Sequence, residues 1–249
     1  MGQRLVDLMR FNVITIFPEI FDALKYGVIS NGFKKNITSI NLFNPREHVE
    51  TEYGSIDDSP YGGGEGMVMM PEPLSKTIES IPNVGFRILL SPQGKIIDNN
   101  LIKSLAKKST LTLICGRYEG IDERFIDSYV DLEVSVGDYI LSGGEFGALC
   151  IIDAISRIIP GVLGNPDSIK NDSFESKLLK GPIYTRPKKF HDKNVPEVLL
   201  SGNHKEIEDW RLHQSLKRTL ERRPDLLDDV KLSKKAKKVL EDLRSKLIL

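Results

Sequence analysis

The stretch from Cys115 to Gly147, CGRYEGIDERFIDSYVDLEVSVGDYILSGGEFG, constrains the fold of this chain more than any other. It follows the apolar run Leu111-Thr112-Leu113-Ile114, which is short and rich in β-formers. Gly116 comes almost at once, as it does where a buried strand enters a ligand-binding turn. Glycines at 116, 120, 137, 143 and 144 permit close backbone approach or positive φ. Glu119, Asp122, Glu123, Asp138 and Glu145 lie among them, so the loops are acidic. Acidic glycine loops suit a cationic or polar ligand better than a phosphate, which is held by lysines and bare backbone amides. One such loop is explained equally well as an ordinary turn between strands. Two, about one element apart, fit that explanation less comfortably.

The rest of the N-terminal half alternates strand and helix signals. Phe11–Phe17 is a β-branched apolar run closed by Pro18, and Pro18-Glu19 opens an amphipathic helix. Ser39–Phe43 alternates as a strand does. The polar passage Asn44–Ser59 leads into Tyr61-Gly62-Gly63-Gly64-Glu65-Gly66-Met67 and is too long and glycine-rich for a plain connector. Pro71–Ile81 predicts a helix, Phe86–Leu90 a buried strand running into Ser91-Pro92-Gln93-Gly94, and Asp98–Lys107 another helix. Phe146–Ile159 predicts an apolar helix carrying Asp153 and Arg157 on one face, stopped by Pro160-Gly161. This order predicts a mostly parallel α/β sheet, with ligands beyond the carboxyl ends of its strands, where Ser91, Gly116 and Gly137 fall.

From Leu163 to Ser176 the composition is that of a linker, and beyond it a helical tail stacks Leu212, Leu216 and Leu220 under Arg211, Lys217, Arg218, Arg222 and Arg223. The formal net charge of zero hides an asymmetry. Residues 1–176 carry 16 Lys and Arg against 24 Asp and Glu, whereas residues 177–249 carry 19 against 11. A basic piece on an acidic body points to a polyanion, nucleic acid above all, although lysines solvating a small helical domain would look the same. No apolar run is long enough to span a bilayer, and the N-terminus lacks a signal-peptide core. Cys115 and Cys150 both lie in apolar runs and read as buried thiols of a reducing compartment, the cytoplasm. The phosphate-loop, dinucleotide, zinc and serine-hydrolase patterns are all absent.

The blocks PYGGGEGMVM, LSPQG, CGRYEGIDERFID, VGDYILSGGE, SRIIPGVLGN, DSF, YTRP and VLLSGNH occur in the order found in bacterial tRNA (guanine-N1)-methyltransferases. The chain resembles that family, of the knotted SPOUT methyltransferases, from Phe11 to about Leu227. The resemblance implies a deep trefoil knot in the C-terminal half of an α/β catalytic domain, residues 1–163, of which the first ten or so are an extension. It implies a flexible linker over 164–176 and a small, mostly helical, basic tRNA-binding domain over 177–249.

Further implications concern chemistry. The family transfers a methyl group from S-adenosylmethionine to N1 of guanine 37 of tRNA, works as a homodimer with a shared active site, and uses Mg²⁺. Cofactor contacts would come from Ser91, Pro92, Gly116, Tyr118, Glu119, Val136, Gly137, Asp138, Tyr139, Ile140, Leu141, Gly143 and Gly144. Tyr61, Gly62, Gly63 and Gly64 would hold the target guanine. Asp172 matches the general base and Arg157 the cation that meets charge on guanine O6. The metal ligands stay unassigned. The alternatives are another SPOUT enzyme, such as one methylating ribosomal RNA on ribose, and a non-catalytic RNA-binding protein.

Overall fold

The computed structural model describes residues 8–49, 55–164, 172–228 and 230–247. Its centre is a sheet of five parallel strands, β1 (Met9–Ile14), β2 (Thr38–Phe43), β5 (Phe86–Ile96), β6 (Thr110–Cys115) and β7 (Leu132–Ser135), in the spatial order β2-β1-β6-β5-β7. The short strands β3 (Asp57–Asp58) and β4 (Val68–Met69) pair antiparallel beside it. Inner strands are covered on both faces, so polar residues such as Thr110 and Thr112 of β6 are buried along with the apolar ones. All six residues of β6 are buried.

The helices α1 (Ser30–Lys34), α2 (Pro71–Glu79), α3 (Asn99–Leu105), α4 (Glu123–Tyr129) and α5 (Glu145–Ile158) lie between and after the strands. The period of two along the strands divides the core. Phe11, Val13, Ile88, Leu90, Leu111 and Leu113 pack with Phe21, Leu24, Ile102, Leu105, Ile151 and Ile155. Ile14, Leu89 and Ile114 meet Leu74 and Ile78 of α2 and Phe125 of α4 on the opposite face. Asp98 starts α3 by accepting the Leu101 N–H at 2.7 Å, and Asp122 starts α4 by accepting the Arg124 N–H at 3.0 Å.

One irregularity positions the site. Val134 of β7 stands opposite Leu90 and again opposite Lys95, so Ser91–Gly94 leave the sheet and return to it. The strand expected to end at Leu90 therefore continues to Ile96. A Cβ at Gly94 would come within 2.3 Å of the Val134 nitrogen, an approach that glycine alone tolerates. The helix expected from Pro18 spans Pro18–Lys25 and is of the 3₁₀ type. Its buried Phe21 and Leu24 are three apart, a spacing both helix types place on one side, so periodicity does not separate them.

The chain divides into two units, Met1–Pro166 and Asp167–Leu249. The second holds the hairpin β8 (Lys189–Phe190) and β9 (Lys193–Asn194) with the helices α6 (His204–Arg222) and α7 (Lys234–Leu247). Leu216 is wholly buried there, among Leu178, Leu227, Ala236, Leu240 and Leu243. The expected linker falls partly at 165–171, outside the described residues.

Candidate active site

The carboxyl ends of β5, β6 and β7 open on a cavity of about 410 Å³, a usual size for a ligand pocket. It is lined by the Ser91–Gln93 excursion, the Gly116–Ile121 turn after β6 and the 136–144 loop after β7. Of the residues expected to meet a cofactor, Ser91, Pro92, Gly116, Tyr118, Glu119, Val136, Gly137, Tyr139, Ile140, Leu141, Gly143 and Gly144 all line it. Asp138 is not part of the lining. It is exposed, as Tyr139 and Ile140 after it also are. Leu89, Val134, Val136 and Leu141 supply apolar walls, while Glu119, Glu123 and Glu133 supply carboxylates. Tyr118 holds a φ of 60°, a strained value for an aromatic residue and one that clusters at ligand sites.

The acidity of the loops is divided between ligand-facing and structural groups. Asp122 is held below the usual carboxylate range by its hydrogen bond to the Arg124 side chain, and its other task is to cap α4. Glu145 is wholly buried and paired with Arg117, so this loop acid has a structural partner rather than facing a ligand. Arg117, the one basic residue of the lining, carried no role in the sequence reading. The signal was there, since opposite charges sit next to the loop glycines Gly116 and Gly144.

Tyr61, Gly62, Gly63 and Gly64 stand outside the cavity lining, and Tyr61 is 99% exposed. Their loop is nonetheless tied to the site through backbone. Glu119 N–H donates to the Met67 carbonyl at 2.9 Å, Met69 N–H to Gly120 at 2.9 Å, and Asp122 N–H to Met69 at 3.1 Å. Any movement of one loop is thereby passed to the other.

Arg157 lies in the last turn of α5 on its exposed face, which Phe146, Cys150 and Asp153 share at helical spacing. Asp172 belongs to the second unit. Lys180 Nζ donates to its Oδ1 at 3.1 Å, and the Lys180 N–H donates to Ser173 Oγ at 3.0 Å. The same segment is splinted on α6. Leu179 N–H donates to Thr219 Oγ1 at 2.9 Å, Ser215 Oγ to the Leu179 carbonyl at 2.6 Å, and Arg218 Nη1 to the Lys180 carbonyl at 3.2 Å. Asp172 is thus placed by the helix that carries Arg211, Lys217 and Arg222.

Residues 9–229 match the model of a family described as tRNA (Guanine-1)-methyltransferase TrmD. The chain belongs to this family. The match begins with β1 and runs past α6, so both cavity loops and the Asp172 segment fall inside it. Curated relatives agree with the tRNA (Guanine-1)-methyltransferase family match. A protein of Pseudomonas entomophila (strain L48) named tRNA (guanine-N(1)-)-methyltransferase is 48% identical over 242 residues, covering 95% of this chain and 97% of its own. A protein of the same name from Hahella chejuensis (strain KCTC 2396) is 48% identical over 239 residues, covering 94% and 93%. Among the described residues no helix is long and apolar enough to cross a membrane.

Proposed function

We propose that the chain methylates N1 of a guanine in tRNA, at position 37 beside the anticodon, with S-adenosylmethionine as donor and the cytoplasm as its compartment. The observation that carries this reading is the lined cavity at the strand ends of a chain that belongs to the tRNA (Guanine-1)-methyltransferase family. The residues present suit the donor. Carboxylates of Glu119 and Glu133 match its positive charges, the walls of Val134, Val136 and Leu141 match an adenine ring, and the glycine loops offer backbone polar groups at close range. When bound, S-adenosylmethionine supplies an electrophilic methyl group whose former bonding pair stays on sulfur.

The protein's part is to ready the acceptor. Guanine N1 bears a proton and is a poor nucleophile until that proton leaves. In this reading the Asp172 carboxylate takes it as the N1 pair forms the bond to carbon, and the Arg157 guanidinium offsets charge on guanine O6. The glycines of the Tyr61–Gly64 loop admit a flipped base beside backbone. The N-terminal unit then serves as the cofactor domain and the basic C-terminal unit as the RNA grip. Large apolar side chains of Ile140, Leu141 and Phe146 are exposed beside the cavity loops and on α5, which favours a homodimer whose active site is shared. Among the described residues no group of three or more His, Cys, Asp or Glu could hold an ion.

The test is transfer of labelled methyl from S-adenosylmethionine to a tRNA transcript carrying G37, beside one carrying A37. Label on the G37 transcript alone, lost in Asp172→Ala, is expected. Label on both transcripts, or undiminished label in the variant, would withdraw the substrate and the base respectively.

A further inference from the structure

A buried ion pair joins the two loops that flank the cavity. Gly116 and Arg117 follow β6, while Gly144 ends the second loop and Glu145 begins α5. The Gly144 N–H donates to the Gly116 carbonyl at 3.0 Å. Beside that bond Arg117 Nη2 stands 3.0 Å from Glu145 Oε2, with side chains 15% and 0% exposed. Arg117 Nη1 donates to the Ser142 carbonyl at 3.0 Å, and the guanidinium lies 4.4 Å from the centre of the Phe17 ring. Glu145 Oε1 accepts from Thr15 Oγ1 at 2.9 Å, and Thr15 Oγ1 accepts from the Phe17 N–H at 3.0 Å. A Cβ at Gly143 would fall 2.2 Å from Arg117 Nε, so the loop is laid directly on the guanidinium.

Stability alone does not explain such a pair. Removing two charges from water is costly, and apolar side chains of similar size often serve the fold as well. Arg117 Nε and Glu145 Oε2 also make no well-directed hydrogen bond within the described residues, so the pair is not tuned for interior energy. What it supplies is direction. A planar fork can hold the Ser142 carbonyl and the Glu145 carboxylate together while its flat face rests on Phe17, which neither lysine nor methionine can do.

We propose that Arg117 and Glu145 are positioning residues of the cofactor pocket, fixing Ser142–Gly144 against Gly116 so that the loop backbones keep the shape the cofactor meets. The proposal rests on reading the cavity as the S-adenosylmethionine site. It is tested by isothermal titration of the full chain with S-adenosylmethionine and S-adenosylhomocysteine, with no turnover involved, alongside thermal unfolding. The informative variant is the pair Arg117→Met/Glu145→Leu, which leaves no buried charge without a partner. It is expected to stay folded, with a melting temperature near that of the parent, yet to bind both ligands about tenfold or more weakly, as displaced site groups do. Arg117→Lys, which keeps the charge and loses the fork, should fall between, and decides the matter if the double variant does not fold. Binding within about twofold of the parent in the folded variant would overturn the proposal, since a merely structural pair would move only the melting temperature. Absence of binding by the parent chain would instead overturn the reading of the cavity, and the proposal with it.

Discussion

Burial pushes the Cys115 thiol well above its ordinary range; the Glu145 carboxylate adds to the shift and Arg117 opposes it. Since the thiolate is the reactive form, Cys115 is expected to be unreactive in the folded protein. Cys150 is exposed on α5, although both cysteines lie in apolar runs, because a helical period turns every third or fourth residue of such a run outward. Cys150 shares the α5 face of Phe146, so an aromatic disulfide reagent is expected to titrate at most one thiol per native chain, fewer where that face is covered by a second copy, and two in denaturant. Two fast thiols in the native chain would mean that β6 opens at its end. Asp172 carries a second expectation at this scale. Lys180 anchors one of its oxygens, so Lys180→Met should lower kcat for methyl transfer about tenfold, a part of what a general base contributes. Lys180→Arg should restore most of that, and an unchanged kcat in Lys180→Met would show the contact to be incidental. Ser91, Gly116 and Gly137 were legible in the sequence as residues at strand ends, while the other expected lining residues rested on the family resemblance. The burial of Glu145 was not legible, because a count of loop acids does not say which of them the fold turns inward.

Between β5 and β7 the sheet is latched by side chains as well as by its ladder. Arg87 donates to the Asp131 carboxylate from Nε at 3.0 Å and from Nη2 at 2.6 Å, and its backbone N–H donates there as well at 2.8 Å. The hydrogen bond from the Arg87 side chain holds Asp131 below the usual carboxylate range. A depressed carboxylate contributes stability that is present above its unfolded pKa of about 3.9 and lost as pH falls through the lower folded value. Asp131→Asn should thus cost about 1 kcal/mol at pH 7, with solvent screening allowed for, and progressively less as pH drops below about 4. Urea unfolding of parent and variant at several pH values checks this; a difference that persists in acid would assign the effect to packing. Elements with a strong apolar period were legible, as β1, β2, α3 and α5 show. The extension of β5 past Pro92 and Gly94 was not, because both residues signal a turn locally and the return to the sheet depends on pairing with distant Val134. In the same way α4 and β7 were hidden inside a stretch whose glycines and acids read as loop.

The whole molecule separates its charges. Residues 177–249 carry 19 Lys and Arg against 11 Asp and Glu, while the body they follow is acidic. If the C-terminal unit grips RNA through phosphates, each contact releases counterions, and the logarithm of the affinity falls linearly with the logarithm of salt. Arg211 and Arg222 lie exposed on α6 at a spacing of eleven, three turns apart on one face, with the Arg218 that holds the Lys180 carbonyl between them. Replacing both with glutamine should flatten the salt slope of tRNA binding by about two, roughly one for each lost phosphate contact, and should weaken G37 and A37 transcripts equally. Cofactor affinity, set by the other unit, should not move. Filter binding across a salt series gives both numbers. A slope that stays unchanged would place the phosphate contacts elsewhere on the chain, and a loss confined to the G37 transcript would mean that α6 reads the base rather than the backbone.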